Sequence, residues 1–256
     1  MRRGLALLLV ALPAAALAAA GNGWVPLPGG SFRSALKYED VRKVQVAPFE
    51  LQKRPVTNAE FLAFVKSHPQ WRRDKVALVL AETRYLSHWA GPATLGDEAL
   101  PEQPVVQVSW FAASAYCEAQ GGRLPTWSEW EYAAAADETR RDARGDPVWR
   151  ERILNWYSTP SNHALPRAGL QTPNAWGVQD LHGLVWEWTE DFSSLLVSAD
   201  NRVQGDADNL KFCGAGALSM DDRENYAVLM RVAMLSSLEA NSTTANLGFR
   251  CARDVK

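Results

Sequence analysis

Apolar residues recur at helical spacing in three short stretches of the chain. In the first, Phe61, Leu62, Phe64 and Val65 form a face that opens after Thr57-Asn58-Ala59-Glu60 and closes at Pro69. Thr57 can accept a free N–H of the first turn while Glu60 reaches back to the cap, which is the capping-box pattern. In the second, Trp110, Ala113 and Cys117 share a face. Ser109 is the N-cap of this helix, which runs through Gln120 until Gly121-Gly122 stops it. The third begins at a second capping box, Thr126-Trp127-Ser128-Glu129, and continues through Trp130, Tyr132 and a run of alanines. Residues 41–49 and 183–188 are rich in β-branched and aromatic side chains and predict strands. Residues 137–175 hold too much Pro, Asn and charge for long regular elements. Short helices among short strands and long connections predict an α+β fold with little regular secondary structure.

The N-terminus has a different pattern. Arg2 and Arg3 precede an uncharged run over residues 5–12, then Pro13 and an alanine-rich stretch to Ala20. These are the three parts of a secretory signal peptide, with cleavage expected after Ala18 and Ala20 as the alternative. The apolar run is well short of the ~20 residues that a bilayer core requires. Residues 1–18 are thus a signal peptide and residues 19–256 one domain, since no repeat or low-complexity linker marks a boundary. The expected location is the periplasm, and the mature chain contains no transmembrane segment.

Composition adds two facts. There are 11 Trp in 256 residues, and a loop-rich fold needs such large side chains to bury its connections. Formal net charge is −2, and removing residues 1–18 takes it to −4 without losing a Trp. No segment concentrates basic residues as a phosphate-tracking groove would, so nucleic acid is not the expected partner. Cys117, Cys213 and Cys251 allow at most one intramolecular disulfide in an oxidising compartment, and counting does not choose the pair.

Six motifs in order carry a resemblance. They are Pro28-Gly29-Gly30-Ser31-Phe32, Arg54-Pro55-Val56-Thr57-Asn58-Ala59-Glu60-Phe61, Pro104-Val105-Val106-Gln107-Val108-Ser109-Trp110, Gly122-Arg123-Leu124-Pro125-Thr126-Trp127-Ser128-Glu129-Trp130-Glu131-Tyr132, Gly183-Leu184-Val185-Trp186-Glu187-Trp188 and Asn246-Leu247-Gly248-Phe249-Arg250-Cys251. Together they resemble the formylglycine-generating enzyme, or sulfatase-modifying factor, family over nearly all the mature chain. The resemblance implies a compact α+β domain related to C-type lectin folds. Family enzymes oxidise a substrate cysteine with molecular oxygen and a copper ion held by two cysteines, because soft thiolates select Cu(I). Counting back from Cys251, those positions are Asp222 and Ala227, and residues 214–250 contain no cysteine. A carboxylate and a methyl group cannot replace a dithiolate, so neither copper nor formylglycine generation is expected.

Other chemistry has no better footing. The family includes iron-dependent sulfur-transfer oxygenases, yet His68, His88, His163 and His182 lie in separate segments and read as surface or hydrogen-bonding histidines. Gly29-Gly30 precedes no P-loop lysine and reads as a turn. Asp221, Asp222 and Glu224 read as a solvated acidic turn, although with Tyr226 or Cys213 they are the candidates for any enzymatic alternative. The resemblance implies two structural features. A calcium ion would be held by the side chains of Asp180 and Glu187 and the carbonyls of Gly183 and Val185. Cys117 and Cys251 occupy positions that are disulfide-linked in eukaryotic members, which leaves Cys213 as a buried small hydrophobe, the favoured reading, or a reactive periplasmic thiol.

These features together lead to a non-catalytic periplasmic protein. Leu86-Ser87-His88-Trp89-Ala90-Gly91 and Phe212-Cys213-Gly214-Ala215-Gly216-Ala217 resemble the type VI secretion regulator branch, which promotes activation of a membrane Ser/Thr kinase. The expected partner is the periplasmic domain of such a kinase, with Tyr85 and Trp89 as candidate exposed contacts. The same segments also resemble accessory proteins of copper nitrite reductases. The alternative is therefore a periplasmic maturation enzyme or oxidase of the nitrite-reductase or siderophore type.

Overall fold

A computed structural model describes residues 22–38, 41–158, 164–193 and 226–255. The segment expected to be a signal peptide, His163, Cys213, Asp222 and the acidic cluster around it lie outside the described residues.

Strands β1 (Trp24–Leu27), β4 (Phe49–Gln52) and β7 (Ala252–Asp254) form an antiparallel sheet in the order β1-β4-β7. Trp24 pairs with Gln52, and Leu51 with Ala252, so the two ends of the described chain meet across β4. Strands β2 (Gly30–Tyr38) and β3 (Val41–Val46) form a separate hairpin, and β5 (Trp186–Glu187) pairs in parallel with β6 (Leu247–Gly248). The strand expected over 41–49 is thus divided between two sheets. Pro48 has no N–H to offer a ladder, and the chain turns there from β3 into β4. The strand expected over 183–188 shortens to the two residues of β5.

Helices α1 (Asn58–Ser67), α2 (Trp110–Ala119) and α3 (Trp127–Ala134) form where the capping residues predict. Both capping boxes close reciprocally, with Thr57 and Glu60 at α1 and Thr126 and Glu129 at α3. The expectation for residues 137–175 is corrected: α4 (Pro147–Ser158) runs twelve residues through that stretch. Asp146 accepts the N–H groups of Val148 (2.8 Å) and Trp149 (3.3 Å), and Pro147 sits at the first helical position, where its missing N–H costs nothing. Only Trp149 and Ile153 of α4 are buried, so its charge density is a solvent face rather than a helix breaker. A fifth helix, α5 (Tyr226–Ser236), was not predicted either.

The tryptophans fill the interior. Trp89, Trp127, Trp130 and Trp188 are fully buried, and each indole N–H has an acceptor: Asn58 Oδ1, Glu131 Oε2, Glu187 Oε2 and the Val108 carbonyl. Phe61, Tyr116 and Phe249 form a ring cluster that joins α1 and α2 to the C-terminal segment. The disulfide Cys117–Cys251 lies beside them and links α2 to the residue before β7, with Cα atoms 5.4 Å apart. Gly122 lets that segment approach closely, since a Cβ there would meet the Ala252 carbonyl oxygen at 2.4 Å. Tyr85 and Trp89 are not exposed contacts. Both are buried, and the Tyr85 hydroxyl donates to the Trp71 carbonyl, which anchors a loop to the core.

Candidate functional site

Segment 180–187 enters the core as it approaches β5, whose partner β6 belongs to the Asn246-Leu247-Gly248-Phe249-Arg250-Cys251 motif. This pairing brings Glu187 and Arg250 together although 63 residues separate them. Both side chains are 0% exposed. Arg250 grips the carboxylate with Nε to Oε2 at 2.9 Å and Nη2 to Oε1 at 2.8 Å. Trp130 Nε1 donates to the same Oε2 at 2.9 Å. The remaining Arg250 donors reach the carbonyls of Gln52, Lys53 and Gln179, so one guanidinium ties β4, segment 179–187 and the C-terminal segment together.

Asp180 is buried at the other end of the segment, in the left-handed region at φ 60°. Its carboxylate accepts the N–H groups of Gly169 and Gln171. Burial pushes its pKa up, and repulsion from Glu187 adds to the rise, while the two backbone bonds and Arg250 oppose it. Gly183 also has a positive φ, 93°, and a Cβ there would meet Gln171 Nε2 at 2.7 Å. The carbonyls of Gly183 and Val185 accept no hydrogen bond among the described residues, and Val185 is 0% exposed. A buried carbonyl without a donor is an under-satisfied acceptor. Asp180, Glu187 and the two carbonyls are oxygen donors of the kind calcium takes, while both Glu187 oxygens already accept from Arg250 and Trp130.

The region of the family's copper site has another character. Ala227 lies in the first turn of α5, and one turn further on Arg231 is fully buried. Its guanidinium stacks 3.6 Å from the Trp130 ring centroid and donates to the Glu187 carbonyl at 2.7 Å. Burial lowers its pKa to about 10, which leaves it a cation at neutral pH. Cys117 and Cys251 are consumed by the disulfide, so neither is a metal ligand. The three described histidines do not converge: His68 stacks on Phe64, His88 bonds Gln107, and His182 Nε2 bonds the Ala134 carbonyl. No group of three or more His, Cys, Asp or Glu among the described residues is placed to hold a metal.

The sulfatase-modifying factor enzyme 1-like domain matches residues 11–255 of the chain. The chain belongs to this family. It is 30% identical to a formylglycine-generating enzyme of Streptomyces coelicolor, over 91% of this chain and 90% of that one. It is 31% identical to the inactive C-alpha-formylglycine-generating enzyme 2 of Bos taurus, over 91% and 89% respectively. It is also 26% identical to the serine/threonine-protein kinase pkn1 of Chlamydia pneumoniae, where the match spans 84% of this chain and 34% of the kinase. Both active and inactive relatives therefore share the sulfatase-modifying factor fold. No described helix of this family member is long and apolar enough to cross a membrane.

Sequence reasoning selected Asp180 and Glu187 but assigned no role to Arg250 or Arg231. Arg250 stood in a quoted motif, yet nothing local to it signals a buried guanidinium.

Proposed function

We propose that this family member is a non-catalytic periplasmic regulator that binds the periplasmic domain of a membrane Ser/Thr kinase controlling type VI secretion and promotes the kinase's activation. The observation that carries this reading is the loss of the copper dithiolate: Asp222 and Ala227 stand at its positions, and residues 214–250 contain no cysteine. A thiolate pair has no substitute in a carboxylate and a methyl group. An inactive relative of similar identity supports a non-catalytic use of the fold, and a kinase-named relative that contains a matching segment supports the kinase setting. Binding shifts the kinase only to the extent that the active form of its periplasmic domain is bound more tightly than the inactive form. The signal-peptide pattern supports a periplasmic location. The test is a pull-down of the kinase's periplasmic domain by the purified mature protein. No binding, together with unchanged kinase phosphorylation in a deletion strain, would reject the proposal.

Calcium is part of the proposal in a structural role. Asp180, Gly183, Val185 and Glu187 would hold the ion, which would neutralise the mutual repulsion of the two carboxylates and fix the approach to β5. A second reading, a periplasmic maturation enzyme or oxidase, is favoured by the active name of the Streptomyces relative. Stoichiometric copper or iron in the purified protein would establish it over the first.

A further inference from the structure

A cavity of about 380 Å³ opens between β2, α3 and the chain from Ala135 to Arg144, and none of its lining residues is a disulfide cysteine or a proposed calcium ligand. Its size is in the range of small-molecule sites. Three aromatic rings make one wall. Phe32 meets Tyr132 edge-on with ring centroids 5.7 Å apart, and Tyr132 meets Trp176 at 5.2 Å. The Tyr132 hydroxyl is committed to the Gly29 carbonyl at 2.8 Å, so this wall is mainly apolar.

Three arginines also line the cavity, and they are not equivalent. Arg144 is committed: Nε and Nη2 donate to Asp142 at 2.9 and 2.8 Å, while Nη1 donates to the Arg33 carbonyl and reaches Glu131 at 3.4 Å. Glu131, behind the wall, is also bonded by Ser34, Ala35 and Trp127. The guanidiniums of Arg33 and Arg141 pair with no carboxylate among the described residues. Arg141 has its guanidinium carbon 4.5 Å from the Trp176 ring centroid, a stack that holds the fork against the aromatic wall. Arg33 stands opposite Lys43 in the β2–β3 ladder, where like charges destabilise the pairing. An anion beside them would offset that repulsion. A guanidinium is all donor, so the missing partner must bring acceptors and negative charge. Two uncommitted guanidiniums match the charge of about −1.5 to −2 on a phosphate monoester at pH 7, and its terminal oxygens suit bidentate forks. A monocarboxylate brings a single charge. The aromatic wall suits a ring on the far side of the ester.

We propose that this cavity binds a soluble organic phosphate monoester, with the Arg33 and Arg141 guanidiniums holding the phosphate and Phe32, Tyr132 and Trp176 packing against the organic group. The test is isothermal titration calorimetry of the mature protein with phenyl phosphate, and with phenol and succinate as comparators. Phenyl phosphate is expected to bind with a Kd below about 1 mM, and each comparator about tenfold or more weakly. Arg33→Gln and Arg141→Gln should each weaken binding of phenyl phosphate about tenfold, the loss of one charge-assisted contact. Both side chains are exposed. Far-UV circular dichroism identifies any variant that fails to fold, and either variant alone keeps the test valid. Arg84→Gln, at an exposed arginine outside the cavity, should bind like the parent protein. No saturable binding of phenyl phosphate, undiminished binding by the folded variants, or an equal loss in Arg84→Gln would overturn the proposal. Succinate binding as tightly as phenyl phosphate would also overturn it, by assigning the site to dicarboxylates. So would arginine-dependent capture by phosphatidic acid vesicles without binding of phenyl phosphate, which would assign the same chemistry to a lipid headgroup.

Discussion

Replacing Glu187 by Gln removes the only carboxylate among the described residues that contacts Arg250, and keeps the shape of the side chain. Both residues are 0% exposed, so water cannot take the place of the missing charge. The variant loses charge-assisted bonds of 2.8 and 2.9 Å and leaves a guanidinium that still holds three carbonyls but has no contacting anion. Breaking a buried pair on one side costs about 3 to 5 kcal/mol, a third or more of the stability of a typical domain. Arg250→Met should cost a similar amount, because it strands the Glu187 carboxylate and opens the same carbonyls. The double variant strands no charge, so its loss should be smaller than the sum of the single losses by about 2 kcal/mol. Urea unfolding at pH 7, followed by tryptophan fluorescence at fixed calcium, gives all four corners of this cycle. Additivity within about 0.5 kcal/mol, or a loss under about 1 kcal/mol for either single variant, would refute the pairing as the clamp between β5 and the C-terminal segment.

Three further outcomes are expected. His182 has its pKa lowered from 6.5 to about 4, so the folded protein binds fewer protons than the unfolded chain between those values. Its contribution is complete above pH 6.5 and is lost as pH falls toward 4, by about 3 kcal/mol in all. His182→Gln should flatten that part of the stability profile measured by urea unfolding, and an unchanged slope would contradict the neutral buried imidazole. The Cys117–Cys251 bridge spans a sequence separation of 134, and replacing both residues by Ala should cost about 5 kcal/mol in the chain-entropy model. A loss under about 1 kcal/mol in the same assay would contradict it. Bound calcium, measured by elemental analysis, should fall from one ion per chain to none in Asp180→Ala, and unchanged stoichiometry would refute the proposed ligand set.

The parts of this fold legible in the sequence are those fixed by local chemistry. Thr57 with Glu60, Ser109, and Thr126 with Glu129 lie three residues from the groups they cap, so α1 to α3 could be placed from short windows. Helix α4 was missed because ten of its twelve residues are not buried and its cap, Asp146, stood within a stretch of Pro and charge. The strand over 41–49 was legible as extended chain, but its division at Pro48 depends on which sheet each half joins. Tyr85 and Trp89 were misread as surface residues, because an aromatic loop looks the same in sequence whether it faces outward or inward. The candidate calcium residues and the disulfide were legible only through family motifs. The Arg250–Glu187 pair and the stack of Arg231 on Trp130 join residues 63 and 101 positions apart, and no local pattern marks them.

The central claim is that the fold now serves to bind a kinase rather than to oxidise cysteine. Its most direct test is autophosphorylation of a membrane-reconstituted kinase of the type VI secretion pathway, with the purified mature protein added on the periplasmic side. A saturable rise in phosphorylation that tracks binding to the periplasmic domain is the predicted result. Unchanged phosphorylation at concentrations where the folded protein occupies, or fails to find, that domain would contradict it.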